Sequence, residues 1–392
     1  MKAPSTEAAR PADPSVGFPS GPVSNRPTAA VVDLGALSHN YRELKKRSGD
    51  RKVLAVVKAQ AYGHGALPVA RRLIDLGADM LGVALVEEGK ELREAGIQAP
   101  VLLMGALFPE QADEIVRLRL VPVVQSLALV HALSDAALRR NSVVNVHVKV
   151  DTGMGRIGLG PDDVPEFIDA VTRLGGIRVE GLMTHFADAD LRDKAFASVQ
   201  MDHFEGLVKA LEGRGISVPL RHAANSAAVL DYQRALFTMV RPGLMLYGYD
   251  PLEGGSSGAD LQPVLSLITR IAFLKRVPAG TPISYGRTFV TKRESRIATI
   301  PVGYADGYSR GLSNTGEAIV RGLRAPVAGR VCMDMTMLDV TDVPDVKEDD
   351  EVVLIGSQDG ESVTADEIAR KTGTIPYEVL CGIGARVPRV YI

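Results

Sequence analysis

The fold is decided by residues 52–96, KVLAVVKAQAYGHGALPVARRLIDLGADMLGVALVEEGKELREAG. Two short apolar runs, at residues 52–57 and 80–85, are each followed by a segment whose apolar residues recur at helical spacing. A buried strand followed by an amphipathic helix, repeated along the chain, is typical of parallel βα units. The stretch therefore predicts a parallel sheet with helices packed outside it.

The same alternation extends outward in both directions. Further apolar runs are TAAVVDL (28–34), PVLLMG (100–105), LVPVVQ (120–125), VVNVHVKVD (143–151), IRVEGLMTHF (177–186), PLRHAAN (219–225) and TMVRPGLMLYG (238–248). About eight such units in roughly 230 residues fit a closed (β/α)8 barrel of the TIM type better than an open sheet. After Leu261 the pattern changes to short apolar runs with few helical segments, which indicates a mostly β C-terminal domain.

These patterns divide the α/β chain into three parts. Residues 27–260 are predicted to form the barrel and residues 261–392 the β-rich domain, with the run at 28–34 open to pairing with either. Residues 1–26 are rich in Pro, Ser, Ala and Gly and contain no apolar run. We expect them to be a disordered tail, because this composition buries too little surface to order itself.

Composition excludes several classes of function. The 392 residues contain 45 Lys and Arg against 47 Asp and Glu, a balance that does not predict a nucleic-acid partner. Neither a signal peptide nor an apolar run of about 20 residues is present, so we expect a cytoplasmic protein with no membrane partner. Only two cysteines occur, Cys332 and Cys381, and we expect them to be reduced, buried thiols. No metal site is predicted.

A glycine-rich segment, DTGMGRIGLG at residues 151–160, matches the GxGxxG pattern of dinucleotide-binding folds. Glu180 even lies near the end of the next strand, where such folds place an acidic residue. However, the polar pair Asp151 and Thr152 precedes the glycines, and the next helix is predicted to begin only at Pro161. The nicotinamide interpretation is therefore the weaker one.

Lys58 is predicted to end a buried strand, at the barrel face where such folds carry their chemistry. The simple alternative is a surface charge. Because the preceding residues AVV are apolar, the amine should be partly desolvated at the mouth of the barrel. A desolvated amine loses its proton more easily and can form a Schiff base.

Polar residues alternate along the strand NVHVKVD and share one face: Asn145, His147, Lys149 and Asp151. This face is either a solvated edge or an inward lining, and the inward arrangement requires Lys149 to be paired or chemically modified. Arg156, in the glycine-rich loop, is then a candidate to bind a carboxylate.

Two histidines, His185 and His222, are predicted at strand ends, where structural and functional roles are about equally plausible. Ser226 and Gly243 lie in the last barrel loops, which commonly hold phosphate groups.

Taken together, the motifs resemble those of bacterial alanine racemases, pyridoxal-phosphate enzymes with a barrel and a β domain. The matching motifs are AVVKAQAYGHG, KVDTGMGRIG, MTHFADAD, HAANSAA, VRPGLMLYG, SYGRTF, IPVGYADGY, GRVCMDM and IPYEVLCGIGARVPRVY. They cover the chain from about Ala29 to its end.

The resemblance implies a role for each matching residue. Lys58 is similar to the lysine that holds pyridoxal 5'-phosphate, and Tyr285 to the second base, which the partner subunit of a homodimer supplies. Phosphate ligands are implied at Tyr62, Ser226, Gly243, Leu244 and Tyr377, with Asn225 beside them among the cofactor-binding residues.

Further roles concern the cofactor ring and the substrate. Arg241 resembles the arginine facing the pyridine nitrogen, and His185 the residue linking it to the tyrosine. Arg156 and Met333 match residues that contact the substrate carboxylate, Arg156 also lying near the cofactor. Residues that line the substrate channel are implied at Asp190, Tyr304, Arg310, Arg330 and Asp334.

Two positions depart from the family pattern, with Gln60 in place of Asn and Met335 in place of Gln. Lys149 matches a lysine that is carbamylated in some members.

The implied function is interconversion of L- and D-alanine by a two-base mechanism, supplying D-alanine for peptidoglycan. The alternative within this fold is a serine or broad-specificity amino-acid racemase. A decarboxylase is disfavoured, because related decarboxylases resemble one another in pairing the pyridine nitrogen with a carboxylate, whereas Arg241 is here. A non-catalytic barrel is disfavoured by the C-terminal domain that carries Tyr285 and Met333.

Overall fold

The structure, a computed structural model, describes residues 26–255 and 257–392. The tail predicted at residues 1–26 lies outside the described residues, apart from Arg26. The chain forms two compact units, one comprising Asp33–Val264 and the other comprising residues 26–32 together with Leu265–Ile392. The chain passes from the first unit to the second after Val264, four residues beyond the boundary predicted from sequence.

The first unit alternates strands and helices. The described chain begins with β1 (Ala29–Val32), and the first unit then contains α1 (Leu34–Ser48), β2 (Lys52–Val56), α2 (Lys58–Tyr62), α3 (Ala66–Asp75), β3 (Met80–Val83), α4 (Val86–Glu94), β4 (Val101–Leu103), α5 (Ala112–Arg117), β5 (Val121–Val124), α6 (Leu127–Arg139), β6 (Val144–Lys149), α7 (Val164–Thr172), β7 (Ile177–Met183), α8 (Ala195–Gly213), β8 (Leu220–His222), α9 (Ser226–Asp231) and β9 (Met239–Val240).

Eight parallel strands among the described residues form one sheet, in the order β8-β7-β6-β5-β4-β3-β2-β9. Two backbone hydrogen bonds bridge the remaining gap, from Thr238 N to Arg221 O (3.1 Å) and from Arg241 N to Ala224 O (2.9 Å). The predicted barrel is confirmed, because consecutive strands pair all the way round.

The second unit is mostly β, as predicted. Its elements are β1 with β10 (Leu265–Arg270), β11 (Phe273–Val277), β12 (Pro282–Ile283), β13 (Phe289–Val290), β14 (Ser295–Ile300), β15 (Glu317–Val320), β16 (Leu323–Pro326), β17 (Thr336–Asp339), β18 (Glu351–Gln358), β19 (Glu361–Val363), α10 (Ala365–Thr372), α11 (Pro376–Cys381) and β20 (Arg389–Tyr391). Here β1 pairs antiparallel with β10 and parallel with β20, which resolves the open assignment of the first apolar run.

Local sequence explains where several helices begin and end. The Asp33 carboxylate caps α1 by accepting hydrogen bonds from the backbone of Gly35 (2.7 Å) and Ala36 (2.9 Å). Thr364 caps α10 in the same way, and this helix ends at Gly373 in the left-handed conformation. Within the described ranges, no helix is both long and apolar enough to cross a membrane.

The prediction for the cysteines was partly wrong. Both residues are thiols and not disulfides, but Cys332 is only half-buried and Cys381 is exposed on the second unit. Cys381 is the last residue of the six-residue helix α11, in which Leu380 takes the buried position. Apolar character along the sequence therefore did not predict which face of this short helix is covered.

Candidate active site

Lys58 directly follows the buried residues at the end of β2, and the chain then turns in an unusual way. Ala59, Gln60, Ala61 and Tyr62 all have φ between 52° and 55°, so α2 is a left-handed turn. Such a conformation costs about 1–2 kcal/mol for each non-glycine residue. Strain of this kind persists where the surroundings fix the backbone, often at functional sites.

Acidic side chains of α4 hold the strained turn in place. Glu88 accepts a hydrogen bond from the backbone of Ala59 (2.6 Å), and Glu91 accepts one from the side-chain amide of Gln60 (2.8 Å). Gln60 also accepts from the backbone of Ala66 (3.2 Å). The departure from the family pattern at Gln60 therefore has a structural role, since its longer amide spans the turn.

The turn brings Tyr62 against the last loops of the barrel. Its ring lies 4.9 Å from that of Tyr247, whose hydroxyl donates to the backbone of Val56 (2.8 Å). The Ser226 hydroxyl accepts hydrogen bonds from the backbone N–H groups of Gly243 (2.8 Å) and Met245 (3.3 Å). We call this set, Tyr62, Ser226, Gly243 and Leu244, the cradle. Its hydroxyls and amides have the chemistry that binds a phosphate.

Arg241 is buried, with 3% of its surface exposed, and its guanidinium is held from several sides. It donates to the carbonyl oxygens of Thr184 (2.8 Å), His222 (2.7 Å) and Ala223 (3.1 Å) and lies 3.1 Å from Nδ1 of His185. Because a guanidinium only donates, Nδ1 of His185 accepts and its ring proton is on Nε2. Burial lowers the pKa of Arg241, and the same effect, with nearby positive charges, holds the pKa of His185 well below its usual value.

Positive charge is concentrated at this end of the barrel. The charges that act on His185 come from Arg241, Lys149, Arg156 and Lys58. Lys149 is 3% exposed and its Nζ has no hydrogen-bond partner among the described residues. Burial, followed by the charges of Arg241 and Arg156, lowers the pKa of Lys149 to about 7. The carboxylate of Asp151 opposes this shift only in part. Cations that outnumber the neighbouring carboxylate favour an anionic ligand.

The glycine-rich loop does not have the geometry of a dinucleotide site. The Asp151 carboxylate accepts from the backbone of Gly153 (2.9 Å) and Gly155 (3.1 Å), and the backbone of Leu159 donates to Lys149 O (3.0 Å). The loop thus folds back on β6, and α7 begins only at Val164. This arrangement leaves Arg156 exposed on the loop.

A second group of predicted residues lies on the β unit, around the turn that carries Tyr285. Ser284 Oγ donates to Arg330 O (2.7 Å), and a side chain on Gly286 would contact the Arg330 guanidinium. Tyr285 itself is 70% exposed, and the nearby Met333 is 52% exposed. Both side chains are therefore available to a ligand or to another chain.

The loop of Met333 is tied to that of Tyr304 by backbone hydrogen bonds. Tyr304 N donates to Cys332 O and Ala305 N to Met333 O, both at 3.0 Å. Asp334 accepts from Arg386 (2.8 Å), which also lies 3.5 Å from Asp306. Three of the predicted channel residues, Tyr304, Arg330 and Asp334, thus lie on linked loops.

Known proteins resemble the whole described chain. Residues 32–251 match the family model of the alanine racemase N-terminal domain, and residues 264–391 match that of the C-terminal domain. The chain belongs to the alanine racemase family. An alanine racemase of Halothermothrix orenii is 49% identical over 93% of this chain and 97% of its own length. Alanine racemase 2 of Caldanaerobacter subterraneus subsp. tengcongensis is 50% identical over 94% and 95%.

Solved alanine racemases have the same fold. That of Clostridium difficile 630 gives a TM-score of 0.89 at 37% identity, covering 94% of this chain and 96% of that structure. The resemblance inferred from the motifs is therefore confirmed, and so is the predicted architecture.

Alanine racemase motifs placed the site residues in two groups. Those on the barrel unit occur at or after the carboxyl ends of strands: Lys58, Tyr62, Lys149, Arg156, His185, Asn225, Ser226, Arg241, Gly243 and Leu244. The side chain of Asn225 caps α9 by accepting from Ala228 N (3.0 Å). Asp190 also lies on this unit and is exposed, whereas Arg310 and Tyr377 lie on the β unit. Ser313 Oγ joins the turn of Arg310 to the loop of Arg330, because it donates to Arg310 O (2.6 Å) and accepts from Val331 N (3.1 Å). The roles of all these residues remain predictions.

Sequence reasoning missed Tyr247 and misjudged Glu180. Tyr247 is fully buried and packs against both Tyr62 and His64, so it holds the Tyr62 ring of the cradle in place. Its place in the motif LMLYG could have indicated this. Glu180 was considered only as a nucleotide-binding residue, but it lies 3.5 Å from the ring of His147.

Proposed function

We propose that this enzyme uses pyridoxal 5'-phosphate to interconvert L- and D-alanine, and that it supplies D-alanine for peptidoglycan. The observation that carries the proposal is the convergence, at one end of the barrel, of a strand-end lysine, a buried arginine and the cradle. An amine for the cofactor aldehyde, a cation for its ring and donors for its phosphate are the groups that this cofactor needs.

The residues present fit the cofactor. A methyl group on Gly243 would come 2.6 Å from the Tyr62 hydroxyl, so only glycine leaves this part of the cradle open. Tyr62, Ser226, Gly243 and Leu244 would hold the phosphate, and Lys58 would hold the aldehyde carbon. When bound, pyridoxal phosphate withdraws electrons from the substrate Cα, so that its proton becomes removable.

Two bases are needed, because the proton leaves one face of Cα and returns to the other. Nζ of Lys58 and the hydroxyl of Tyr285 supply them: one base takes the proton from its face of Cα while the other, already protonated, donates a proton to the opposite face, and the roles reverse for the other enantiomer. The exposure of Tyr285 and Met333 supports a homodimer in which the partner subunit presents both to the barrel site.

Arg241 sets the strength of the electron withdrawal. Its guanidinium would face the ring nitrogen as a donor with no proton that is easily transferred, and this would keep the ring a weaker electron sink. This favours return of the Cα proton over side reactions. Arg156 orients the substrate carboxylate through its guanidinium.

Lys149 completes the site as a carbamate. Its neutral amine attacks carbon dioxide, the new N–C bond forms as one C=O becomes a carboxylate oxygen, and a proton leaves the nitrogen. The product places a negative charge beside Arg156 and Arg241, where the protein otherwise buries an unpaired amine. The test is an electron-density map or a 13C NMR spectrum of the enzyme in bicarbonate. Either one showing only the unmodified Lys149 amine would exclude the carbamate.

The decisive test is Lys58→Ala in the purified enzyme. We expect loss of the visible absorption of the bound cofactor and loss of L- to D-alanine conversion, whereas the surface variant Lys90→Ala keeps both. A colourless but active wild type would refute the proposal. Serine, lysine and arginine assayed beside alanine distinguish an alanine racemase from a broad-specificity enzyme.

A further inference from the structure

A continuous row of polar side chains connects Arg241 to a carboxylate on β7. Nη1 of Arg241 is 3.2 Å from Nδ1 of His222, and Nε2 of His222 is 2.7 Å from Nδ1 of His147. Nε2 of His147 is 3.5 Å from a carboxylate oxygen of Glu180. The two histidines are fully buried, and the strands that carry them, β6 and β8, flank β7. We call these four residues the Glu180 row.

The ends of the row fix the position of every ring proton within it. A guanidinium only donates, so Nδ1 of His222 accepts, and an ionised carboxylate only accepts. Burial lowers the pKa of both His147 and His222, so each ring carries a single proton at neutral pH. The proton of His222 must then be on Nε2, facing Nδ1 of His147, and the proton of His147 on Nε2, facing Glu180.

The 3.5 Å contact between Nε2 of His147 and Glu180 is long for a hydrogen bond, but no closer polar partner of this nitrogen occurs among the described residues. Nε2 of His147 is enclosed and makes no standard hydrogen bond among the described residues. The interaction with His147, followed by the charges of Arg178 and Lys52, keeps the pKa of Glu180 low despite its partial burial. An ionised acceptor therefore faces an otherwise unsatisfied donor.

The backbone is built to bring these two side chains together. Val146 pairs with Val179 but His147 pairs with Gly181, so Glu180 is the extra residue of a β-bulge. Bulges redirect side chains and are frequent beside active sites. A side chain at Gly181 would overlap the ring of His147, so the glycine leaves the space that this ring fills.

We propose that Glu180 is a positioning residue for Arg241. By accepting from His147 it fixes the tautomers of both histidines, and the acceptor that His222 then offers holds the guanidinium in one orientation. The effect on racemisation rests on the proposed function, whereas the tautomers are a property of the folded chain alone.

The test is 15N NMR of histidine-labelled full-length enzyme at pH 7, combined with kinetics. In the wild type we expect both His147 and His222 to carry the proton on Nε2. Glu180→Gln keeps an acceptor in its amide oxygen. Moving the ring protons of both histidines to Nδ1 would still set the N–H of His222 against an N–H of Arg241. The tautomers and kcat of this variant should therefore stay near wild type. Glu180→Ala leaves the buried Nε2–H of His147 without an acceptor, and this penalty competes with the clash of N–H groups that the reversed row meets at Arg241. We therefore expect mixed tautomers at both histidines, together with a kcat lower by about 10-fold or more, the size seen when outer partners of metal-bound histidines are lost, and a smaller change in KM.

Glu205→Gln is the matched control, because Glu205 is a barrel carboxylate of similar exposure (28% against 23%) that pairs with Arg234. We expect it to change neither tautomers nor kcat. A proton on Nδ1 of either histidine in the wild type would overturn the proposal, as would Glu180→Ala with wild-type tautomers and kcat. If Glu180→Ala fails to fold, the wild-type spectrum still tests the proposal, because a proton on Nδ1 of either histidine would overturn it. If the wild-type enzyme shows the expected tautomers but does not racemise alanine, the proposed function is refuted while the proton positions inferred for the Glu180 row still hold.

Discussion

Gly243 and Tyr62 approach so closely that a methyl group on Gly243 would lie 2.6 Å from the Tyr62 hydroxyl oxygen. The same glycine donates its backbone N–H to Ser226 at 2.8 Å, so it cannot retreat without breaking this bond. The shape of the cradle therefore depends on an absent side chain as much as on the groups that are present.

Gly243→Ala should weaken cofactor binding by about 10-fold or more and destabilise the protein by about 1–3 kcal/mol, because overpacking displaces Tyr62. Fluorescence titration of apoenzyme with pyridoxal phosphate and urea unfolding measure the two effects. Adding Tyr62→Phe should recover part of the lost stability, since it removes the atom that the methyl group meets.

Gly206→Ala is the control, because a Cβ there meets nothing within 4 Å and the residue lies inside α8. It should stabilise the helix by up to about 1 kcal/mol and leave cofactor affinity unchanged. Equal cofactor affinity in the two alanine variants would show that the cradle tolerates the added methyl group.

Lys149 should make the stability of the apoenzyme depend on pH in buffers free of carbon dioxide. Its pKa is about 7 in the folded protein against 10.5 for the ordinary amine. Between these values the unfolded chain binds a proton that the folded chain does not, so stability increases with rising pH, by up to about 1.4 kcal/mol per pH unit.

Urea unfolding of wild type and Lys149→Met from pH 7 to 10 isolates this contribution as the difference between the two proteins. The exposed Lys209→Met variant should follow the wild type across the range. A constant difference between wild type and Lys149→Met would mean that Lys149 keeps its proton when buried.

Tyr285→Phe should abolish racemisation while leaving proton removal by the other base. We expect a loss in kcat of about 100- to 10,000-fold, as for removal of a general base. In deuterium oxide, one enantiomer of alanine should still exchange its Cα proton. Exchange of both enantiomers at wild-type rates would eliminate Tyr285 as a base.

If Tyr285 reaches the site of a partner subunit, mixing two inactive variants should restore activity. In a heterodimer of Lys58→Ala and Tyr285→Phe subunits, one site regains both bases. Random pairing in a two-fold dimer should then return about a quarter of wild-type activity. Activity that stays at the level of the separate variants after subunit exchange would place both bases in one chain.

Arg26 should stabilise the β unit through Asp306, whose side chain is fully buried. Arg26 donates to both oxygens of this carboxylate, at 2.7 and 2.6 Å, and also to Pro301 O. Arg26→Ala should cost about 1–3 kcal/mol, less than the loss of a sole buried partner because Arg386 remains nearby.

The matched control is Arg293→Ala, which removes an exposed pair with Asp342 and should change the free energy of unfolding in urea less than Arg26→Ala does. Burial alone would raise the pKa of Asp306, but hydrogen bonds from Arg26 and Gly303 lower it. The advantage of wild type over Arg26→Ala should therefore be full above about pH 4 and decline as pH falls below it. Equal losses in the two variants would contradict a special role for Arg26.

Much of the barrel and the site could be predicted because their signals are local. Strand-end positions such as Lys58 and His185 follow from counting along apolar runs, and parallel strands bring their carboxyl ends to one edge of a sheet. The resemblance to alanine racemase motifs then implied the roles of individual residues, such as Tyr285 as a base, which the spacing of residues along the chain does not indicate. The exposure of Cys381 escaped prediction, because a six-residue helix has too little periodicity to indicate its buried face.

By itself, the sequence determined the family, the alternation that builds the barrel, and the identity of the lysine and tyrosine proposed as bases. Only the tertiary structure decided which polar groups meet. The left-handed turn after Lys58, the approach of Gly243 to Tyr62, and the bulge that turns Glu180 toward His147 all join residues distant in the chain or depend on backbone angles. Hydrogen bonds and steric contacts act over a few ångströms of space, and sequence separation carries no measure of that distance.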